Sequence, residues 1–428
     1  MKFRKILNDL KRRPEDASIE LKISKKKILD ILSGKKKIPF SLIEKAVKIW
    51  PINYSDFFHI EDDAPKGYKI YHSKLSDKSS RKMYRAGKPY YLYKDTVMSK
   101  ISSFRPEWIQ QLVIVKNNKP KNKSVVFNNG HFLHQFTYFI GPVNFYYMDG
   151  KIKKVALMNT GDSMHINPYI PHSFTTRQNK KGELGCILAL TYTDKIDGEF
   201  INELTAVGLE NSKKFKLDTS SKKKSILSLI DYNLNISSIT KKNLKENFKI
   251  DLKNLLKNNK INYSLVDKIA QILKISSREL IPHDKFDYVK INKYKNNRSW
   301  YYPSSSQKKY LIVELANSII LPNSKAYELT VINSKKNNIF FEVQSHQYGY
   351  NIGKTTCNIN FGSKKEEKIS PGDSLYIKPN VKHEFFKKSK LLILRIGGKI
   401  TGDGLIQLSS LKNSDYKRLI NDNKQWFN

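Results

Sequence analysis

At 428 residues the chain exceeds the roughly 100–200 residues of one ordinary domain, so two to four units are expected. Its formal net charge of +39 points toward a polyanion, but 11 Arg stand among the 78 basic residues and Lys recurs in every segment, so a diffuse compositional bias is favoured over a phosphate-gripping patch. The 24 Tyr and 21 Phe supply core bulk and exclude a disordered chain, and the two cysteines, Cys186 and Cys357, exclude a disulfide framework or metal finger.

The N-terminal MKFRKILNDLKRR carries charge where a secretion signal needs an apolar stretch, and no apolar run approaches the roughly 18–20 residues of a membrane span. A reducing cytosol, with no membrane partner, is the expectation. Residues 1–60 place Ile23, Ile28, Leu29 and Leu32 at helical spacing, broken at Ser33-Gly34. Residues 1–50 resemble a repressor-type helix-turn-helix domain, with Ser24-Lys-Lys-Lys27 opening the would-be recognition helix. Those 50 residues hold 15 Lys and Arg against 6 Asp and Glu, a local +9 that gives DNA binding some support. A helical scaffold retained without that function explains it equally.

From about residue 68 the pattern changes to short runs of Val, Ile, Tyr and Phe bounded by Gly, Pro and Asn, which predict strands of a barrel or jelly roll through about 208. Helical spacing returns over about 211–285 and strand patterning over about 295–400. The alternation reflects an internal repeat at a spacing of about 210–225 residues. His134-Gln-Phe-Thr-Tyr-Phe-Ile-Gly141 returns as His346-Gln-Tyr-Gly-Tyr-Asn-Ile-Gly353, and Gly161-Asp-Ser as Gly372-Asp-Ser, each leading to a proline and then to His172 or His383.

In the first β segment, His131 and Gln135 are four apart, so on one strand they share a face while His134 points the other way. The proline-stiffened turn Pro168-Tyr-Ile-Pro171 would aim His172 at the same centre. Two His and one Gln form a facial set with open positions, able to hold one metal together with substrate and oxygen. Spacing alone does not select iron over manganese, nickel or zinc.

Gly130-His131, Gly141, and Gly161-Asp-Ser through Pro171-His172 resemble the two motifs of cupins. The helix-turn-helix plus cupin plan in duplicate is similar to the phosphonate oxygenases: hydroxypropylphosphonate epoxidase, hydroxyethylphosphonate dioxygenase and methylphosphonate synthase. The resemblance covers essentially the whole chain and is strongest over 81–94 and 126–175. It implies an α+β fold, a tandem repeat of a helix-turn-helix-like domain and a cupin jelly roll. The parts are residues 1–62 (helical), 63–210 (catalytic cupin), 211–290 (helical) and 291–428 (second, degenerate cupin).

The resemblance also implies the site. Arg85, Tyr93 and Asn128 match the family's phosphonate-binding residues, and its helical-domain lysine falls on Lys11, with Arg12 the neighbouring alternative. A planar Arg, a mobile Lys and neutral Tyr and Asn donors suit a phosphonate dianion. The epoxidase has Glu where Gln135 stands, and the dioxygenase draws a carboxylate from the position of Ile166. With neither carboxylate, the pattern resembles methylphosphonate synthase, implying an Fe(II)-dependent conversion of 2-hydroxyethylphosphonate and O₂ to methylphosphonate and carbon dioxide. Ile166 is then a product-determining position, and a homo-oligomer is expected. In the second half the equivalents are Val343, Gln347 and His383, which predicts a barrel without metal. The rivals are the dioxygenase outcome, giving hydroxymethylphosphonate and formate, a cupin-containing transcription regulator, for which nucleic acid is the less favoured partner, and a non-redox cupin.

Overall fold

The computed structural model describes residues 2–102, 104–193, 196–257, 260–283, 287–362, 366–421, 424 and 426, and the described chain is a mixed α+β protein. It divides into two compact units. One comprises Met1–Lys66, Ser99–Ser103 and Gly398–Asn428, the other Gly67–Met98 and Phe104–Gly397.

In the first unit, helices α1 (Lys2–Asp9), α2 (Pro14–Glu20), α3 (Lys25–Leu32) and α4 (Phe40–Ile49) enclose a core that includes Phe3, Leu7, Ala17, Ile28, Ile31, Leu42 and Trp50. Pro14 opens α2 where a missing N–H costs nothing. The Ser24 hydroxyl caps α3 by accepting the Lys27 N–H at 3.3 Å, and α3 stops at Ser33 ahead of Gly34, whose φ is +78°. The chain's end returns to this unit: Asn8 donates to the Lys424 carbonyl and accepts from the Trp426 N–H, both at 3.1 Å.

The second unit begins with β1 (Tyr68–Tyr71), β2 (Arg81–Arg85), β3 (Lys88–Asp95), β4 (Arg105–Gln111), β5 (Ile114–Val115), β6 (His134–Ile140), β7 (Val143–Asp149), β8 (Ile152–Met158), β9 (Ser163–Ile166), β10 (His172–Arg177) and β11 (Cys186–Tyr192). Helices at Lys222–Ile236, Lys241–Glu246 and Tyr263–Leu273 follow, with a small hairpin of β12 (Leu256–Lys257) and β13 (Lys260–Ile261). They close over their own core of Ile226, Ile230, Leu244, Val266 and Ile269. The second strand series is β14 (Val289–Asn292), β15 (Ser299–Tyr302), β16 (Tyr310–Glu314), β17 (Ser324–Val331), β18 (His346–Asn351), β19 (Cys357–Asn360), β20 (Glu366–Ile369), β21 (Ser374–Ile377), β22 (Glu384–Phe386) and β23 (Lys390–Ile396).

Each series forms two sheets that share a core. In the first, the order β14-β9-β6-β11-β4-β3-β2 faces β5-β10-β7-β8, and Tyr91, Phe139, Phe145, Ile166, Phe174 and Ile187 fill the space between them. In the second, β1-β21-β18-β23-β17-β16-β15 faces β20-β19-β22 around Tyr310, Phe341, Ile359, Leu375, Phe385 and Ile393. The two series exchange edge strands: β1 pairs with β21 (Tyr68 opposite Ile377) and β14 with β9 (Val289 opposite Ile166). An edge that would otherwise present unpaired N–H and C=O groups is thus covered in both sheets.

Candidate metal centre

Gln135 lies in β6, and His172 opens β10. His131 stands ahead of β6, in the bend that leads into it, and not on the strand as its spacing suggested. The bend is set by Gly130, at φ +74°, where a Cβ would lie 2.6 Å from the Tyr169 carbonyl carbon. The Tyr169 N–H donates to the His131 carbonyl at 2.7 Å, tying the turn that carries His131 to the turn that carries His172. His134 does point away: it stacks on His165, ring centroids 5.4 Å apart.

The two imidazoles are oriented by backbone. His131 Nδ1 lies 2.8 Å from the Leu133 carbonyl and His172 Nδ1 2.8 Å from the Ile170 carbonyl, so Nδ1 donates in both, and the form of either ring that carries a single proton leaves Nε2 an acceptor. Burial pushes the His172 imidazole down to about 3, which keeps it neutral. The rings are 5.2 Å apart with their planes at 83°.

His131 Nε2 faces Gln135 Oε1 at 3.0 Å, and the Gln135 amide nitrogen is held away by donating to Thr137 Oγ1 at 2.9 Å. With a single proton on His131, held at Nδ1, two acceptors oppose one another, an arrangement that a shared cation relieves. Donors at right angles, each about 2.1 Å from an ion, stand roughly 3 Å apart, so the pair fits a metal. Among the described residues no group of three His, Cys, Asp or Glu side chains gathers, and the side chain that stands beside the two imidazoles is the Gln135 amide.

Of the anion-binding candidates, Asn128 touches His172, and Arg85 reaches Ser173 beside it. Asn128 accepts the His172 N–H at 2.8 Å and the Gly130 N–H at 3.1 Å, which turns its NH₂ toward His172 Nε2 at 3.2 Å. The Arg85 guanidinium donates to the Val126 carbonyl at 2.8 Å, lies 3.4 Å from Ser173 Oγ and stacks over Tyr91 at 4.8 Å; among the described residues it has no carboxylate partner. Tyr93 packs against Tyr91, centroids 6.0 Å apart. Burial raises the Tyr93 hydroxyl above its ordinary value while Arg85 pulls it back, so it stays a neutral donor. Ile166 is fully buried and sits directly opposite Gln135 on the neighbouring strand.

Lys11 belongs to the helical unit, where its ammonium donates to the Asp9 carbonyl at 2.7 Å and lies 5.9 Å from the Trp426 ring. Its neighbour Arg12 is committed to Glu20 at 2.8 Å. Three groups escaped the sequence reading. Ser173 gathers Arg85, Tyr90 and Tyr91, and Thr137 fixes the Gln135 amide. Thr137, two residues beyond Gln135 on the same strand face, could have been found by that spacing. The carbonyls of Leu133 and Ile170, which aim both imidazoles, leave no trace in residue type.

No family model matches the chain. A methylphosphonate synthase of Nitrosopumilus maritimus (strain SCM1) is 47% identical over 434 residues, covering 99% of this chain and 94% of that protein. Among solved structures, Streptomyces albus HEPD with substrate 2-hydroxyethylphosphonate and Fe(II) bound is 30% identical, covers 100% of this chain and 98% of its own, and superposes with a TM-score of 0.92. A structure of 2-hydroxyethylphosphonate dioxygenase, 16% identical with a TM-score of 0.75 over 97% of this chain and 98% of that one, shares the fold. Identity of that extent, end to end with a curated relative, joins the two-imidazole, one-amide centre to a known lineage: the chain belongs to the methylphosphonate synthase family.

Proposed function

We propose that the chain is an iron(II) oxygenase that converts 2-hydroxyethylphosphonate and O₂ to methylphosphonate, carbon dioxide and water, with His131, Gln135 and His172 as the iron ligands. Its relatives support the chemistry, since one is a methylphosphonate synthase and another holds 2-hydroxyethylphosphonate and Fe(II). The observation that carries the reading is the opposition of His131 Nε2 and Gln135 Oε1 at 3.0 Å beside the Arg85 guanidinium, which has no acid partner among the described residues.

Bound Fe(II) supplies O₂ activation and Lewis acidity. The chain's own residues bind, orient and exclude. Two neutral imidazoles and a neutral amide leave the ion its full charge, one unit more than a carboxylate ligand would, and this favours a dianionic substrate. Arg85 offers its unengaged edge to phosphonate oxygens, the Asn128 amide and Tyr93 hydroxyl add neutral donors, and Lys11 is assigned to the same anion on the family pattern alone. Ile166 keeps a fourth protein ligand out of the position opposite Gln135. The reading extends to two helical-plus-cupin halves, bounded at 62, 210 and 290, and to a cytosolic enzyme that self-associates.

The test is anaerobic reconstitution with Fe(II), addition of 2-hydroxyethylphosphonate, exposure to O₂ and phosphorus NMR. Methylphosphonate is the expected product. Hydroxymethylphosphonate would mark the dioxygenase outcome instead, and absence of turnover with tight, salt-sensitive duplex DNA binding would mark the regulator.

A further inference from the structure

The second barrel repeats the first centre almost group for group. The Asn380 N–H donates to the Val343 carbonyl at 2.8 Å as the Tyr169 N–H does to His131, so Val343 takes the place of the first histidine. His383 Nδ1 lies 2.8 Å from the Val381 carbonyl, as His172 does from Ile170, and its Nε2 is likewise an acceptor. Gln347 sits between Ile377 and Arg395 in the sheet, as Gln135 sits between Ile166 and Thr191. The residue answering to Thr191 is therefore an arginine.

That arginine changes the polar inventory. Arg395 Nε donates to Gln347 Oε1 at 3.0 Å, and the Gln347 amide nitrogen contacts His383 Nε2 at 2.8 Å. Gln347 Oε1 and His383 Nε2 each have a donor, whereas in the first barrel His131 Nε2 and Gln135 Oε1 face one another with none between them. The guanidinium lies 5.0 Å from the Phe341 ring and 5.6 Å from that of Tyr327, and no carboxylate among the described residues pairs with it. Glu384, next to His383, is already held by Lys309 at 3.1 Å, both side chains fully buried. A fixed positive charge thus stands against the two remaining donors, Gln347 and His383, and a divalent ion brought to them would meet repulsion.

We infer that Arg395 is the resident cation of the second barrel, seated where the first barrel would hold its metal, and that the pair Thr191 and Arg395 decides which barrel loads iron. The inference rests on the proposed metal role of His131, Gln135 and His172. It assigns metal exclusion to the guanidinium, over and above the loss of a histidine at Val343.

Iron content per chain after anaerobic loading with Fe(II) and removal of excess tests it, with circular dichroism as a check on folding. Wild type is expected to retain one iron per chain. Val343→His alone should stay at one, because Arg395 still fills the centre, and Val343→His with Arg395→Thr should rise to two. Thr191→Arg should fall from one to none with its circular dichroism unchanged; this arm holds even if the double variant does not fold. A second iron in Val343→His alone, a double variant that folds but stays at one, or a Thr191→Arg protein that keeps its iron would overturn the inference. A wild-type chain that retains no iron removes the proposed function, and the inference with it.

Discussion

In the proposed iron site, Gln135 is the residue on which the electrostatics turn. With His131, Gln135 and His172 as the proposed ligands, none bringing a negative charge, Arg85 would act on a substrate already drawn by the ion's full charge, and its own share would be that of charge-assisted hydrogen bonds, roughly 1.5–3 kcal/mol. Arg85→Ala is therefore expected to raise KM for 2-hydroxyethylphosphonate by about 10- to 150-fold while iron content stays at the wild-type value. An unchanged KM in steady-state oxygen consumption would remove Arg85 from the cradle. Ile166→Glu places a carboxylate opposite Gln135, at a position that is fully buried. The expected outcome is a shift of product from methylphosphonate toward hydroxymethylphosphonate, read by phosphorus NMR; an unaltered product ratio with iron retained would free that position of any role in the outcome.

At the scale of elements, the centre depends on two turns that lie outside the strands they serve. Gly130 at φ +74° lets the His131 turn approach the backbone of Tyr169, itself at φ +60°, and a methyl group at 130 would meet that backbone at 2.6 Å. Gly130→Ala should cost about 1–3 kcal/mol of stability and loosen iron binding, both visible as a lower Tm and lower metal content. A wild-type Tm with full iron would show that the turns are not coupled. These turns also explain what was legible beforehand. Gln135 and Thr137 follow the two-residue period of a strand, and the stop of α3 at Ser33-Gly34 follows from residue type. The spacing of His131 to Gln135 fits a strand; a glycine at positive φ four residues before the start of β6 gives the same convergence by another path. The return of Trp426 to Asn8 had no signature, since single hydrogen bonds across 418 residues leave no periodicity.

For the whole molecule, buried neutral histidines set the response to acid. Burial pushes His165 down to about 3 and His383 down to about 4 from an ordinary 6.5. Protons then bind the unfolded chain more readily than the folded one below pH 6.5, so stability is full above that value and is lost as pH falls toward the folded values, at up to about 1.4 kcal/mol per pH unit for each histidine. Urea midpoints taken between pH 7 and 4.5 should decline, and His165→Gln should flatten the slope; a slope identical in that variant would locate the acid sensitivity elsewhere. The strand exchange has a consequence of the same reach. With β1 laid on β21 and β14 on β9, neither strand series owns all of its own hydrogen-bonding edge. A gene divided after the first strand series would therefore encode two fragments that each carry the other's missing border, and co-expression would be needed to recover either as a soluble body.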